Sequence, residues 1–201
     1  MRHKRPFSTS SCAITAFTSL VLLTGCTSIS QQAIQPITTP QVSVTPAQTS
    51  LPVESGMIGL PLSTTCTTLV TVDELYKFNP NFALDPSKSP AAGSLAKLAT
   101  DYKGISCTYV NLSGGDIITV SLAKLDNESF KRLLAQRSAS SKPYSGGGVP
   151  SGFIGLFSES SSGGTLELLG NGYWLVATAP WAKSPDDVLK LVGPAIAKTG
   201  S

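Results

Sequence analysis

Ser94-Leu-Ala-Lys97 places a hydroxyl and an amine three residues apart. On a helix that spacing makes neighbours, so the lysine could take the serine proton and leave an oxygen nucleophile for acyl transfer. Tyr109-Val-Asn111 and Lys198-Thr199-Gly200 follow in the order such a site would use them. This chemistry needs no histidine, and the chain has one, His3, inside a basic start. Once that start is removed, Ser-His-Asp and Cys-His nucleophile systems and His-ligated metals are excluded.

The three motifs resemble those of penicillin-binding proteins and β-lactamases. Their placement argues against that chemistry. The first two are too close in sequence to form separate walls of a cleft. Lys198-Thr199-Gly200 reads as a frayed terminus, and the folded part of the chain is too small for that family's fold. A second Ser-Leu-Ala-Lys, Ser121–Lys124, lies in an expected strand, where residues three apart point to opposite faces. Asp73-Glu74 and Asp186-Asp187 read as helix first turns, not as metal ligands. The glycine clusters Gly146–Gly148 and Gly163-Gly164 lack the Gly-Lys-Ser/Thr of a phosphate loop. No catalytic residue, cofactor or metal is expected.

The 201 residues carry a formal charge of +3, but Arg2, Lys4 and Arg5 supply it. The remainder is neutral, with 12 basic and 12 acidic residues, and has no electrostatic footprint for nucleic acid. Behind the basic start, Ala13–Leu23 is apolar or small throughout. As a helix it would span only ~17 Å, too short for a ~30 Å hydrocarbon core. A charged start before a short apolar run reads as an export signal over residues 1–25. Leu23-Thr24-Gly25-Cys26 resembles the lipobox of bacterial lipoproteins. That resemblance implies cleavage before Cys26 and a diacylglyceryl group on its sulfur. Two acyl chains suffice for stable anchoring, so the expected address is the extracytoplasmic face of the cell membrane. In a bacterium the eukaryotic sequons at Asn111 and Asn127 carry no weight.

Residues 26–56 read as the lipidated cysteine and a tether. Thr27–Gly56 holds ten Ser/Thr, five Gln and four Pro, with Glu54 its only charge. Such a composition cannot bury enough apolar area to offset its ordering entropy, and a coil of this length spans roughly 30 Å.

Residues 57–201 read as one α+β domain. Cys66 and Cys107 make an even pair in an exported chain, which reads as one disulfide. A redox-active or metal-binding pair is the alternative, without CxxC spacing to favour it. Thr71-Val-Asp-Glu74 predicts a capped helix to about Phe78, stopped by Asn79-Pro80. Further helices are expected over Ala91–Tyr102, ending before Gly104, over Asn127–Arg137 behind Asp126, and from Ser184-Pro185, where Gly193-Pro194 should kink or break the last one. Strands are expected at Ile105–Leu112, Asp116–Leu125, Gly152–Ser158, Thr165–Leu169 and Tyr173–Thr178, with Gly170-Asn171-Gly172 as a hairpin turn. The order α-α-β-β-α-β-β-β-α predicts an antiparallel sheet of about five strands with helices packed on it. Lys142–Pro150 reads as a long mobile loop.

Tyr173-Trp174 should send one ring into the core and one outward, and Trp181 could join the outer ring as a docking site for an envelope protein, glycan or lipid. Cys66-Thr-Thr-Leu69, Phe78-Asn-Pro80, Gly104-Ile-Ser-Cys107-Thr-Tyr109, Ile117–Leu122 and Gly172-Tyr-Trp-Leu-Val-Ala177 together resemble a group of actinobacterial cell-surface lipoproteins of unknown function. The resemblance implies a compact antiparallel sheet flanked by helices, PsbP-like in shape, and no catalytic residues. Three functions are thus in play: a non-enzymatic envelope binding or structural module, a carrier or sensor of an apolar ligand held between sheet and helices, and a Ser/Lys enzyme.

Overall fold

Period-two apolar runs and capped helical segments alternate from Met57 onward, and each becomes an element of one sheet or a helix against it. The computed structural model describes residues 56–161 and 163–199. The expected signal segment, Cys26 and the tether through Ser55 lie outside these residues. The described residues belong to the compact unit Val44–Ser201.

Eight strands of the described residues form an open sheet: β1 (Gly59–Leu60), β2 (Phe82–Leu84), β3 (Ile105–Asn111), β4 (Ile117–Leu125), β5 (Lys142–Tyr144), β6 (Ile154–Ser160), β7 (Gly163–Gly170) and β8 (Tyr173–Ala179). All pairs are antiparallel, in the order β2-β3-β4-β8-β7-β6-β5. β1 pairs Leu125 and Lys124 of β4, continuing the row that β3 occupies. Among the described residues, five helices accompany the sheet: α1 (Cys66–Leu69), α2 (Val72–Phe78), α3 (Leu95–Asp101), α4 (Asn127–Ser140) and α5 (Asp186–Ala197). None of the described helices is long and apolar enough to cross a membrane.

Every helix and strand expected from the sequence is present, with shifted ends. The sheet has eight strands where about five were expected, because β1, β2 and β5 are two or three residues long. No two-residue period can show over so short a run. Lys142–Tyr144 was expected as part of the Lys142–Pro150 loop, and Pro143 stands inside the strand. A sheet edge tolerates proline, and β5 is an edge.

Alternation divides the strand side chains between two buried faces. Ile118, Val120, Leu122, Leu166 and Leu175 pack with Leu75 of α2 and with Val188, Leu191 and Val192 of α5. Ala123, Leu125, Leu169, Trp174 and Val176 pack with Leu98 and Tyr102, around α3, and with Leu133 of α4. Helices therefore cover both faces. α4 carries the chain from β4 to the far edge strand β5, four strand spacings away. Its 14 residues are about 21 Å long, and four spacings are about 19 Å, so one helix just makes the crossing.

Local chemistry sets the ends. α3 starts at Leu95 rather than Ala91 because Gly93 has φ +75° and Ser94 accepts the Lys97 N–H. At its end the Lys103 N–H reaches Thr100 O and the Gly104 N–H reaches Ala99 O, both at 3.0 Å. That is a Schellman cap, but its left-handed residue is Lys103, φ 59°. Gly104 is needed for space: a Cβ there would lie 2.3 Å from Leu122 O. Asn171 and Gly172, φ 54° and 80°, make the expected two-residue turn between β7 and β8. α5 runs through Gly193-Pro194 unbroken, against expectation. Pro194 and Lys190, whose carbonyl loses its helical donor, both lie on the exposed side.

Candidate binding surface

Thr71 opens α2 with a reciprocal cap. Its Oγ1 accepts the Glu74 N–H at 3.3 Å, and Glu74 Oε2 accepts the Thr71 N–H at 2.8 Å. The helix turns Leu75 into the core and leaves Val72 and Tyr76, one turn apart, 75% and 67% exposed. Between α2 and β2 runs an apolar groove of about 260 Å³, lined by Val70, Val72, Leu75, Tyr76, Phe82 and Leu84 among others. β2, on its far side, is the last strand of the sheet.

Three ties hold this unit in place. Cys66 of α1 is disulfide-bonded to Cys107 of β3, with Cα atoms 5.5 Å apart. The Tyr109 hydroxyl donates to Cys66 O at 3.3 Å. Burial, with the Glu74 carboxylate adding to it, pushes the Tyr109 phenol far above its usual range. The Lys198 ammonium reaches Glu74 Oε2 at 2.9 Å and Thr68 O at 3.2 Å, joining α5 to α1 and α2. Burial raises the Glu74 carboxyl, but hydrogen bonds from Lys198 and Thr71 outweigh it and hold the group below its ordinary value. Lys198 and Thr199 are thus fixed rather than frayed, and Gly200 lies outside the described residues.

The Ser/Lys motifs have other partners. Ser94 Oγ donates to Ala91 O at 2.6 Å and accepts the Lys97 N–H at 3.1 Å, as a helix cap. The Lys97 ammonium pairs with Asp101. Ser121 is buried and bonds Ser106 at 2.8 Å, while the Lys124 ammonium stands 4.9 Å above the Tyr173 ring. Asp187 accepts the Lys183 and Ser184 N–H groups, which lower its pKa, and Asp186 accepts the Tyr144 hydroxyl at 2.8 Å.

Tyr173 and Trp174 send their rings to opposite faces of the sheet, as expected of strand neighbours, while Trp181 stacks on Phe78 rather than on Tyr173. Trp174 is fully buried and donates its indole N–H to Glu167 Oε2 at 2.9 Å, so it is closed to any partner. Tyr173 is half-buried and borders a separate polar cleft with Ser63, Thr64 and Lys198. Trp181 is half-buried and stacks on Phe78, centroids 6.5 Å apart, supporting α2 from behind. Its indole N–H is buried without an acceptor among the described residues. A broader open cleft of about 790 Å³ lies where Gly147 and Gly148 approach Leu189, Gly193 and Pro194 of α5.

Val72, Tyr76 and β2 went unseen in the sequence as a surface. The available signal was a second apolar pair, Val72 and Tyr76, beside the Leu75 and Phe78 pair on one short helix. Compared with protein-family models, curated proteins and solved structures, the chain matches none.

Proposed function

We propose that this chain is a bacterial envelope lipoprotein. Cys26 anchors it to the membrane, and residues 26–56 tether a domain, 57–201, that binds a protein or wall component without catalysis. The basic start, the short apolar run and Leu23-Thr24-Gly25-Cys26 support the anchor. The binding reading rests on one observation: Val72 and Tyr76 stand exposed at the rim of an apolar groove beside an open sheet edge. Between the sheet and α5, the largest apolar helix face, Ile118, Val120 and Leu122 pack directly against Val188, Leu191 and Val192. That favours a binding module over a carrier. The likeness to actinobacterial surface lipoproteins, PsbP-like in shape, belongs to the same proposal. Labelling cells with an alkyne fatty acid tests the anchor. Label and membrane retention are expected for the wild type and absent from Cys26→Ala; a variant that keeps its label refutes the assignment.

A further inference from the structure

We infer that the outer edge of β2 is a strand-addition site, taking an extended peptide segment of a partner protein whose apolar side chain enters the groove between α2 and β2. The inference rests on the binding reading above and gives that partner its chemistry.

The ladder to β3 decides which backbone groups of β2 are already used. The Asp85 N–H donates to Thr108 O, and Asn81 O accepts the Leu112 N–H, both at 2.8 Å. In an antiparallel pair, residues bonded in this way alternate with residues whose groups point away. Ala83 stands opposite Val110 and Leu84 opposite Tyr109. Residues 81, 83 and 85 therefore face β3, and Phe82 and Leu84 face outward. The Phe82 N–H is taken by Asn79 O at 3.1 Å. The Phe82 carbonyl and both backbone groups of Leu84 have no hydrogen-bond partner among the described residues. They form the acceptor–donor–acceptor row that an added strand uses.

The two end strands of the main order, β2 and β5, differ. β5 carries Lys142 and Pro143, a charge and a residue without an N–H, both of which discourage pairing. β2 reads Phe82-Ala83-Leu84 and has neither. Beside it lies the groove, so alternate side chains of an added strand would face α2 and its exposed Val72 and Tyr76. A peptide suits this edge better than a second copy of the chain. β2 has three residues, about 10 Å of edge, bounded by Pro80 and Pro86. Pairing two such edges contributes little of the about 1,200 Å² that a stable protein interface buries. A peptide gains its remaining contact from the groove.

The test selects displayed random nonapeptides on the full lipidated chain in detergent and titrates a selected peptide. The peptide is then remade with N-methyl groups at one or the other set of alternate residues. N-methylation of one set should weaken binding about tenfold or more, and of the other set much less. Leu84→Pro removes an outward N–H but no bond to β3, and should weaken binding similarly while keeping its circular dichroism. Where that variant does not fold, the N-methyl series decides. Failure to select any peptide overturns strand addition. Binding lost in Val72→Asp/Tyr76→Asp yet indifferent to N-methylation retains the surface and overturns the strand mode. A concentration-dependent dimer in sedimentation, lost in Leu84→Pro, overturns the peptide in favour of a second copy.

Discussion

Glu167 sits wholly inside the face of the sheet beneath α4, and four donors meet its two oxygens. Arg137 supplies Nε to Oε2 at 2.8 Å and Nη2 to Oε1 at 2.7 Å. Trp174 adds its indole N–H at 2.9 Å and Ser141 its hydroxyl at 3.3 Å. Removing one partner of such a pair strands a charge, whereas replacing both does not. Arg137→Ala should therefore cost about 3–5 kcal/mol, and the double change Arg137→Met/Glu167→Gln should recover most of it. Urea unfolding of the three proteins checks this; a double variant as unstable as Arg137→Ala contradicts it. In sequence Arg137 is the polar last member of the helix face that Phe130, Leu133 and Leu134 make. Its partner lies 30 residues away, and no local pattern joins them.

Elements with caps and long apolar alternation were legible because their signals are local. Thr71 with Glu74, Asp126 with Ser129, and Asn171-Gly172 need no distant neighbour to act. β1, β2 and β5 exist only because a longer strand offers them a ladder, so their residues carry no pattern of their own. α1, four residues long, depends likewise on the Cys66–Cys107 staple. That bond closes a loop of 41 residues, worth about 4 kcal/mol in the chain-entropy account and a large share of a total of about 5–15. Cys66→Ala/Cys107→Ala should lose most of that stability, and amide exchange should rise first in α1 and α2. Loss of less than about 1 kcal/mol with unchanged exchange would show that packing alone holds these helices.

At the scale of the molecule, the α+β class and the antiparallel pairing followed from hairpin signals and from helices placed between them. Coverage of both sheet faces did not. It needs α4 to cross to the far edge, and it shows in sequence only as the continuous apolar run Tyr173–Ala177 of β8 and as Ala123 beside the alternating Ile118, Val120 and Leu122 of β4. The candidate surface was less legible still. Tyr173, Trp174 and Trp181 drew attention by residue type, yet one is in the core, one packs under a lysine and one backs α2. The exposed pair, Val72 and Tyr76, is ordinary in type and meaningful only beside the edge that β2 provides. The most direct measurement is site-specific photo-crosslinking of the full lipidated chain in its own envelope, with a benzoylphenyl side chain at 72, 76, 142 or 154. Positions 72 and 76 should capture the same single species, and positions 142 and 154, on the other half of the sheet, should not. Crosslinks confined to 142 and 154, or none at 72 and 76, would contradict the account.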